Sequence, residues 1–170
     1  MLYLIKVAKW FMLVMPIIVL FYQENGLSLR DVLTLQAVYS ISIVAWEIPS
    51  GYLADFWGRR KTIILGSILG TLGYVIYSFT SGFWGFFAAE FTLGIGISLI
   101  SGADSAILYD TLVEHKRSNE YMKLEGRVIS IGNFAETFAA LAGGLLAEIS
   151  LRTPFIAQSV VAAIAIPASF

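Results

Sequence analysis

The chain has 170 residues, of which 58% are hydrophobic and only 14% charged, with a net charge of −1. A soluble domain is about 45–50% apolar and about 25% charged, and a mean hydropathy of +0.78 is more than a water-soluble core of this size can hide, so the bilayer is the expected solvent. The near-neutral charge gives no basis for nucleic-acid binding, the lack of cysteine excludes a disulfide framework or thiolate metal site, and His115 cannot build a zinc site alone.

A membrane helix needs about 20 mostly apolar residues. Six candidate spans follow in chain order: 1–22, 31–54, 62–79, 83–112, 121–149 and 153–170. The expected fold is therefore an all-α integral membrane bundle forming a single domain over 1–170. In the first span, Lys6 and Lys9 precede an apolar run ending near Tyr22. Its exit, FYQENG, has no small-x-small cleavage pattern, so it is read as a retained span rather than a signal peptide. The second opens on Ser28-Leu29-Arg30-Asp31, a capping-box pattern. Gly82 and Asn119 mark the turns before the fourth and fifth, and Thr153-Pro154 places a capping hydroxyl before a first-turn proline at the sixth. Trp10, Trp46, Trp57 and Trp84 mostly fall near span ends, as interfacial belts favour.

Small residues recur along the third span (Gly66, Gly70, Gly73), the fourth (Gly94, Ser98, Gly102, Ala106) and the fifth (Ala135, Ala139, Gly143, Ala147). Such stripes mark helix–helix contact faces in lipid. They serve simple packing, and smooth faces also let helices rock. The last span ends at Phe170 and reaches roughly 27 Å, barely a bilayer core. The expectation is that the chain is cut, or at least terminal, at the end of a six-helix unit.

Charge sets the expected orientation. Arg59, Arg60 and Lys61 lie between spans two and three, and Lys116, Arg117, Lys123 and Arg127 around the junction of four and five. The other connections offer only Arg30 and Arg152. Positive residues stay in the cytoplasm, which places the amino terminus and these two loops inside.

The stretch GYLADFWGRRK at 51–61 resembles the signature of the major facilitator superfamily, G-x-[apolar]-[small]-D-x-x-G-R-[RK], in the loop joining helices two and three. Gly51, Leu53, Ala54, Asp55, Gly58, Arg59 and Arg60 all fit; Phe56 stands where the family often has Arg. EIPSGYLAD and SGADSAILYD also look like bacterial members, and the resemblance covers the whole chain. It implies the amino-terminal half of a twelve-helix transporter, built as two three-helix inverted repeats, with the substrate site between the halves. Two further family motifs are altered. EFTLGIG puts Glu90 where proton-coupled members carry Arg, and AALAGG has Ala139 and Ala140 where drug–proton antiporters carry Gly-Pro, while Gly143 and Gly144 remain.

Asp55 lies at the carboxyl end of helix two and Arg59 and Arg60 at the start of helix three, each placed against its own helix dipole. Asp110 repeats the pattern at the end of helix four. A cytoplasmic cluster of Asp55, Arg59, Arg60 and Asp110 would satisfy all of them. Pairs near a surface contribute only about 0–1 kcal/mol each, a size that suits a reversible latch. The resemblance implies that this loop helps hold the outward-open state, the acid facing a helix start in the other half. The plainer alternative is that these charges only set topology.

Ionisable residues at membrane depth are functional candidates. Glu136 lies about 14 Å along its helix from Arg127, near the midplane, in apolar surroundings apart from Asn133. A carboxyl there can load and release protons; the alternative is a structural hydrogen bond. Asp104 lies about 9 Å inside Asp110 and Lys9 at similar depth, so the two are a candidate pair, unless Lys6 and Lys9 merely snorkel. Glu90 lies nearer the outer side of helix four, where it could face an outer vestibule. Glu47 precedes Pro49, which should bend helix two and free a carbonyl.

The expected function is secondary transport of a small molecule by alternating access, driven by protons across a bacterial inner membrane, and the resemblance, rather than any residue, implies export of an amphipathic compound. The interior acids favour cationic or neutral cargo. No phosphate-binding GxxxxGK[ST] loop or nucleophile–base constellation occurs, so neither ATP drive, an enzyme nor a cofactor is expected. The expected partners are the substrate, the proton, the bilayer, and a second six-helix half. A homodimeric half-transporter and a non-transporting six-helix membrane protein are the alternatives.

Overall fold

The computed structural model describes residues 10–168, the side chains of residues 104, 105, 165, 167 and 168 excepted. The regular elements of the described residues are all helical, with no strand: α1 (Ile18–Glu24), α2 (Leu29–Trp57), α3 (Arg59–Phe79), α4 (Phe83–Glu114), a 3₁₀ turn (Ser118–Glu120), α5 (Tyr121–Ala147) and α6 (Thr153–Ala168). The helices α2, α3 and α4 and the stretch Ser118–Ala147 are long and apolar enough to cross a membrane, while the apolar stretch Thr153–Ile164 of α6 is shorter.

The start of α2 carries the local chemistry that the sequence predicts, whereas Thr153, expected as a cap, is itself the first residue of α6. The Ser28 hydroxyl accepts from the Asp31 N–H at 3.3 Å and the Asp31 carboxylate accepts from the Ser28 N–H at 3.0 Å, closing the capping box at α2. Gly58, at φ +94°, makes a one-residue turn between α2 and α3. That backbone conformation strains any residue with a Cβ, which explains a glycine at this point of the charged loop. The helix α2 continues through Pro49 to Trp57.

The first span departs from the expected continuous helix. Residues 11–17 are non-helical, and regular α1 begins only at Ile18. Pro16 supplies the physical reason: it has no N–H, and its ring excludes the carbonyl four residues earlier. Exposed main-chain groups are not tolerated in lipid unless protein covers them. Gln158 of α6 does so, its Oε1 accepting from the Leu13 N–H at 2.8 Å and its Nε2 donating to the Phe11 carbonyl at 3.0 Å. Gly143 of α5 lies directly against the Leu13 carbonyl, leaving no space for a side chain.

The most extensive packing joins α3 to α4, followed by α2 to α4 and α3 to α6. Glycines make the first of these possible. A Cβ on Gly96 would stand 2.9 Å from the Gly70 nitrogen, and one on Gly66 would stand 2.8 Å from the Gly96 oxygen. Between α2 and α4, the buried Ser98 hydroxyl donates to the Ser50 hydroxyl at 3.2 Å. At the end holding the α3–α4 turn, Phe21, Tyr22, Tyr77, Phe86 and Phe155 form a fully buried aromatic core. Phe21 and Phe155 approach most closely, their rings tilted and their centroids 4.2 Å apart. By contrast α2 exposes Ile41, Val44, Ile48 and Tyr52, and α5 exposes Phe134, Phe138, Leu141 and Leu145. Apolar faces of this extent suit lipid or a further membrane domain, not water.

Candidate functional site

The charged loop forms at one end of the bundle. Ala54 is buried against Ile63, Ala103 and Ile107, and half-buried Leu53 lies beside it in sequence, so the small and apolar positions of the motif seat the end of α2 on its neighbours. Arg59, the first residue of α3, forms an ion pair with Asp110 near the end of α4. Each charge is unfavourable for its own helix terminus and favourable for the other. Asp55 and Arg60 are exposed, and Asp55 makes no hydrogen bond or ion pair among the described residues. Gly51 has open space where a Cβ would stand. Phe56 is exposed and stacks on Tyr52 at 6.1 Å.

A second constellation lies inside the bundle. Glu90 of α4 is 3% exposed. Its Oε1 accepts from the Tyr22 hydroxyl at 2.6 Å and from the Gln36 Nε2 at 3.4 Å. Tyr77 bonds to both Glu90 and Tyr22. Three helices thus deliver neutral donors to one carboxyl, and no described cation pairs with it. The group faces the bundle interior rather than an outer vestibule. It borders a cavity of about 130 Å³ whose lining comes from the interrupted first span, α2, α3, α4 and α6, including Gln36, Tyr39, Ser67, Tyr74 and Gln158.

The remaining candidates are dispersed. Glu47 on α2 and Asn133 on α5 are exposed, Glu136 is half-buried, and none of these side chains hydrogen-bonds to a described residue. Lys9 and the Asp104 side chain lie outside the described residues. Among the described residues no cluster of metal-ligating side chains occurs. Sequence reasoning overlooked two polar residues. Gln158 was visible as a lone amide in an apolar run, a pattern that calls for a partner on another helix. Arg152 looked like an ordinary loop charge. It donates to the carbonyls of Ser78 at 2.9 Å and Thr80 at 3.1 Å, and its guanidinium sits 5.6 Å from the Phe21 ring centre.

Comparison with known proteins fits this arrangement. The family model of the Major Facilitator Superfamily matches residues 3–170. The class H tetracycline resistance protein of Pasteurella multocida is 31% identical over 80% of this chain and 32% of its own length. An uncharacterized transporter of Buchnera aphidicola is 36% identical over 47% of this chain and 20% of its own. The quinolone resistance protein NorA of Staphylococcus aureus is 23% identical over 84% of this chain and 36% of its own. The chain thus spans about a third or less of the length of these relatives. With a family match across nearly every residue and the motif loop folded between two membrane-length helices, the chain belongs to the Major Facilitator Superfamily.

Proposed function

We propose that this chain is the amino-terminal half of a secondary active transporter that exports a small amphipathic molecule by alternating access, coupled to protons. The observation that carries this reading is the motif loop, whose Arg59–Asp110 pair ties α3 to α4 at one end of the bundle. A pair that is half in water contributes about 0–1 kcal/mol, so it can break and reform during a transport cycle. Export is the direction in which a transporter produces resistance, and relatives named for tetracycline and quinolone resistance support it.

Glu136 is the proposed coupling carboxyl, with Asn133 one turn away. Asp104, Glu90, Glu47 and Lys9 are the further groups through which substrate or proton acts. The substrate site lies where α2 and α5 face the second half, supplied by a six-helix carboxyl-terminal unit or by a second copy of this chain. The proposed orientation puts the amino terminus and the Arg59 loop in the cytoplasm of a bacterial plasma membrane, following the positive-inside rule. The reaction is transport, not catalysis, and needs no cofactor.

The test begins with a ligand-stabilisation screen on the full-length protein. Hits are then assayed in vesicles carrying an imposed proton gradient. Gradient-driven accumulation in wild type and its loss in Glu136→Gln are the expected results. Accumulation that persists after the gradient is collapsed, or a Glu136→Gln protein with full pH-driven accumulation, overturns the proton assignment.

A further inference from the structure

We propose that the partly open cavity within this one bundle binds a benzene-sized organic monocation, its ammonium group held by Glu90 and its body by the surrounding apolar and tyrosine walls. Its volume, about 130 Å³, is close to the ~150 Å³ that holds a benzene molecule in a protein interior. Among the described residues its lining contains one carboxyl, Glu90, and no Lys, Arg or His. The groups facing Glu90 from each packed element are neutral donors: Tyr22 from α1, Gln36 from α2 and Tyr77 from α3. A buried carboxylate with no cation is costly. A proton or a bound cation removes that cost.

Two further features distinguish a ligand site from a packing defect. Ser67 lines the cavity, is 3% exposed, and its hydroxyl has no hydrogen-bond partner among the described residues. Such a buried orphan is costly when empty of partners and useful when a ligand or its water fills the space. Tyr39, Tyr74 and Tyr77 line the same space, and an aromatic face attracts an ammonium more strongly when the site is desolvated. The site is lined by residues of this chain and shares Glu90 with the groups proposed above for substrate or proton. Binding at equilibrium tests it without any transport step.

Binding is measured at equilibrium, without a gradient, using radiolabelled benzylammonium and the purified protein in detergent, with scintillation proximity as the readout. Saturable binding of one benzylammonium per chain is expected, displaced by excess unlabelled compound and not by benzoate. Lowering the pH should weaken it, because a proton on Glu90 removes the charge that holds the cation. Glu90→Gln should weaken binding at least tenfold. Gly70→Leu supplies a second variant: Gly70 lines the cavity and a Cβ there meets nothing within 4 Å, so a leucine fills the space and should abolish binding. Absence of saturable binding to wild type, displacement by benzoate as readily as by benzylammonium, or unchanged affinity in either variant overturns the proposal.

Discussion

Replacing Gly96 by alanine tests the α3–α4 contact that organises the bundle. The added Cβ would lie 2.9 Å from the Gly70 nitrogen, 3.0 Å from the Gly66 oxygen and 3.3 Å from the Leu69 carbonyl carbon. All three are main-chain atoms, so no rotamer change relieves the contact and the helices must part by about 0.5 Å. A gap of that size forfeits about a quarter of each neighbouring dispersion contact, and overpacking of this kind costs about 1–3 kcal/mol. Alanine recovers about 1 kcal/mol through helix propensity, so a net loss of about 0–2 kcal/mol is expected, about 1–3 kcal/mol worse than a glycine-to-alanine change that meets no contact. Gly70→Ala is the matched control. It lies on the same contact, but its Cβ would meet nothing within 4 Å, so it should be neutral or stabilising by up to about 1 kcal/mol. Unfolding by SDS titration in mixed micelles, followed by tryptophan fluorescence, measures both. If Gly96→Ala unfolds at the same SDS fraction as Gly70→Ala, the close backbone approach is not what holds these helices together.

Three further substitutions probe separate links. Arg59→Ala in the full-length protein should slow transport by up to about fivefold, since the pair contributes about 0–1 kcal/mol, and leave equilibrium substrate binding intact; an unchanged transport rate counts against the latch. Gln158→Leu leaves the Leu13 N–H and Phe11 carbonyl without partners, at about 1–3 kcal/mol each. Its thermal midpoint should fall well below that of Ser159→Ala, which removes only a bond within the same helix; equal midpoints would remove Gln158 from its bridging role. Ser28→Ala should destabilise α2 by about 1 kcal/mol through the lost cap, visible as faster amide exchange in its first turn.

The long helices were legible because their determinants are local. Length, apolarity, the Ser28–Asp31 box, and the glycines at 58 and 82 all act within a few residues of the boundary they set. The charged loop was legible for a related reason: Arg59 and Asp110 are each placed against their own helix dipole, which asks for a partner elsewhere. The break in the first span was not. Pro16 sits in an apolar run that reads as continuous, and the group that makes the break tolerable, Gln158, is 145 residues from Leu13. The surroundings of Glu90 were hidden likewise. Its position on α4 suggested an outer vestibule, but Tyr22, Gln36 and Tyr77 arrive from three other helices, and no local pattern reports their convergence.

The two arginines at opposite ends of α3 have a mechanical consequence. Arg59, its first residue, is tied to Asp110, and its last carbonyls are gripped by Arg152, which also reaches Asn25 at 3.4 Å. The helix is a beam fixed at both supports and pressed along its length against α4. A beam held in this way does not flex readily, so any bending of this bundle is displaced to members that are already notched: α2 at Pro49, where a ladder bond is missing, and the first span at residues 11–17, where the helix is already open.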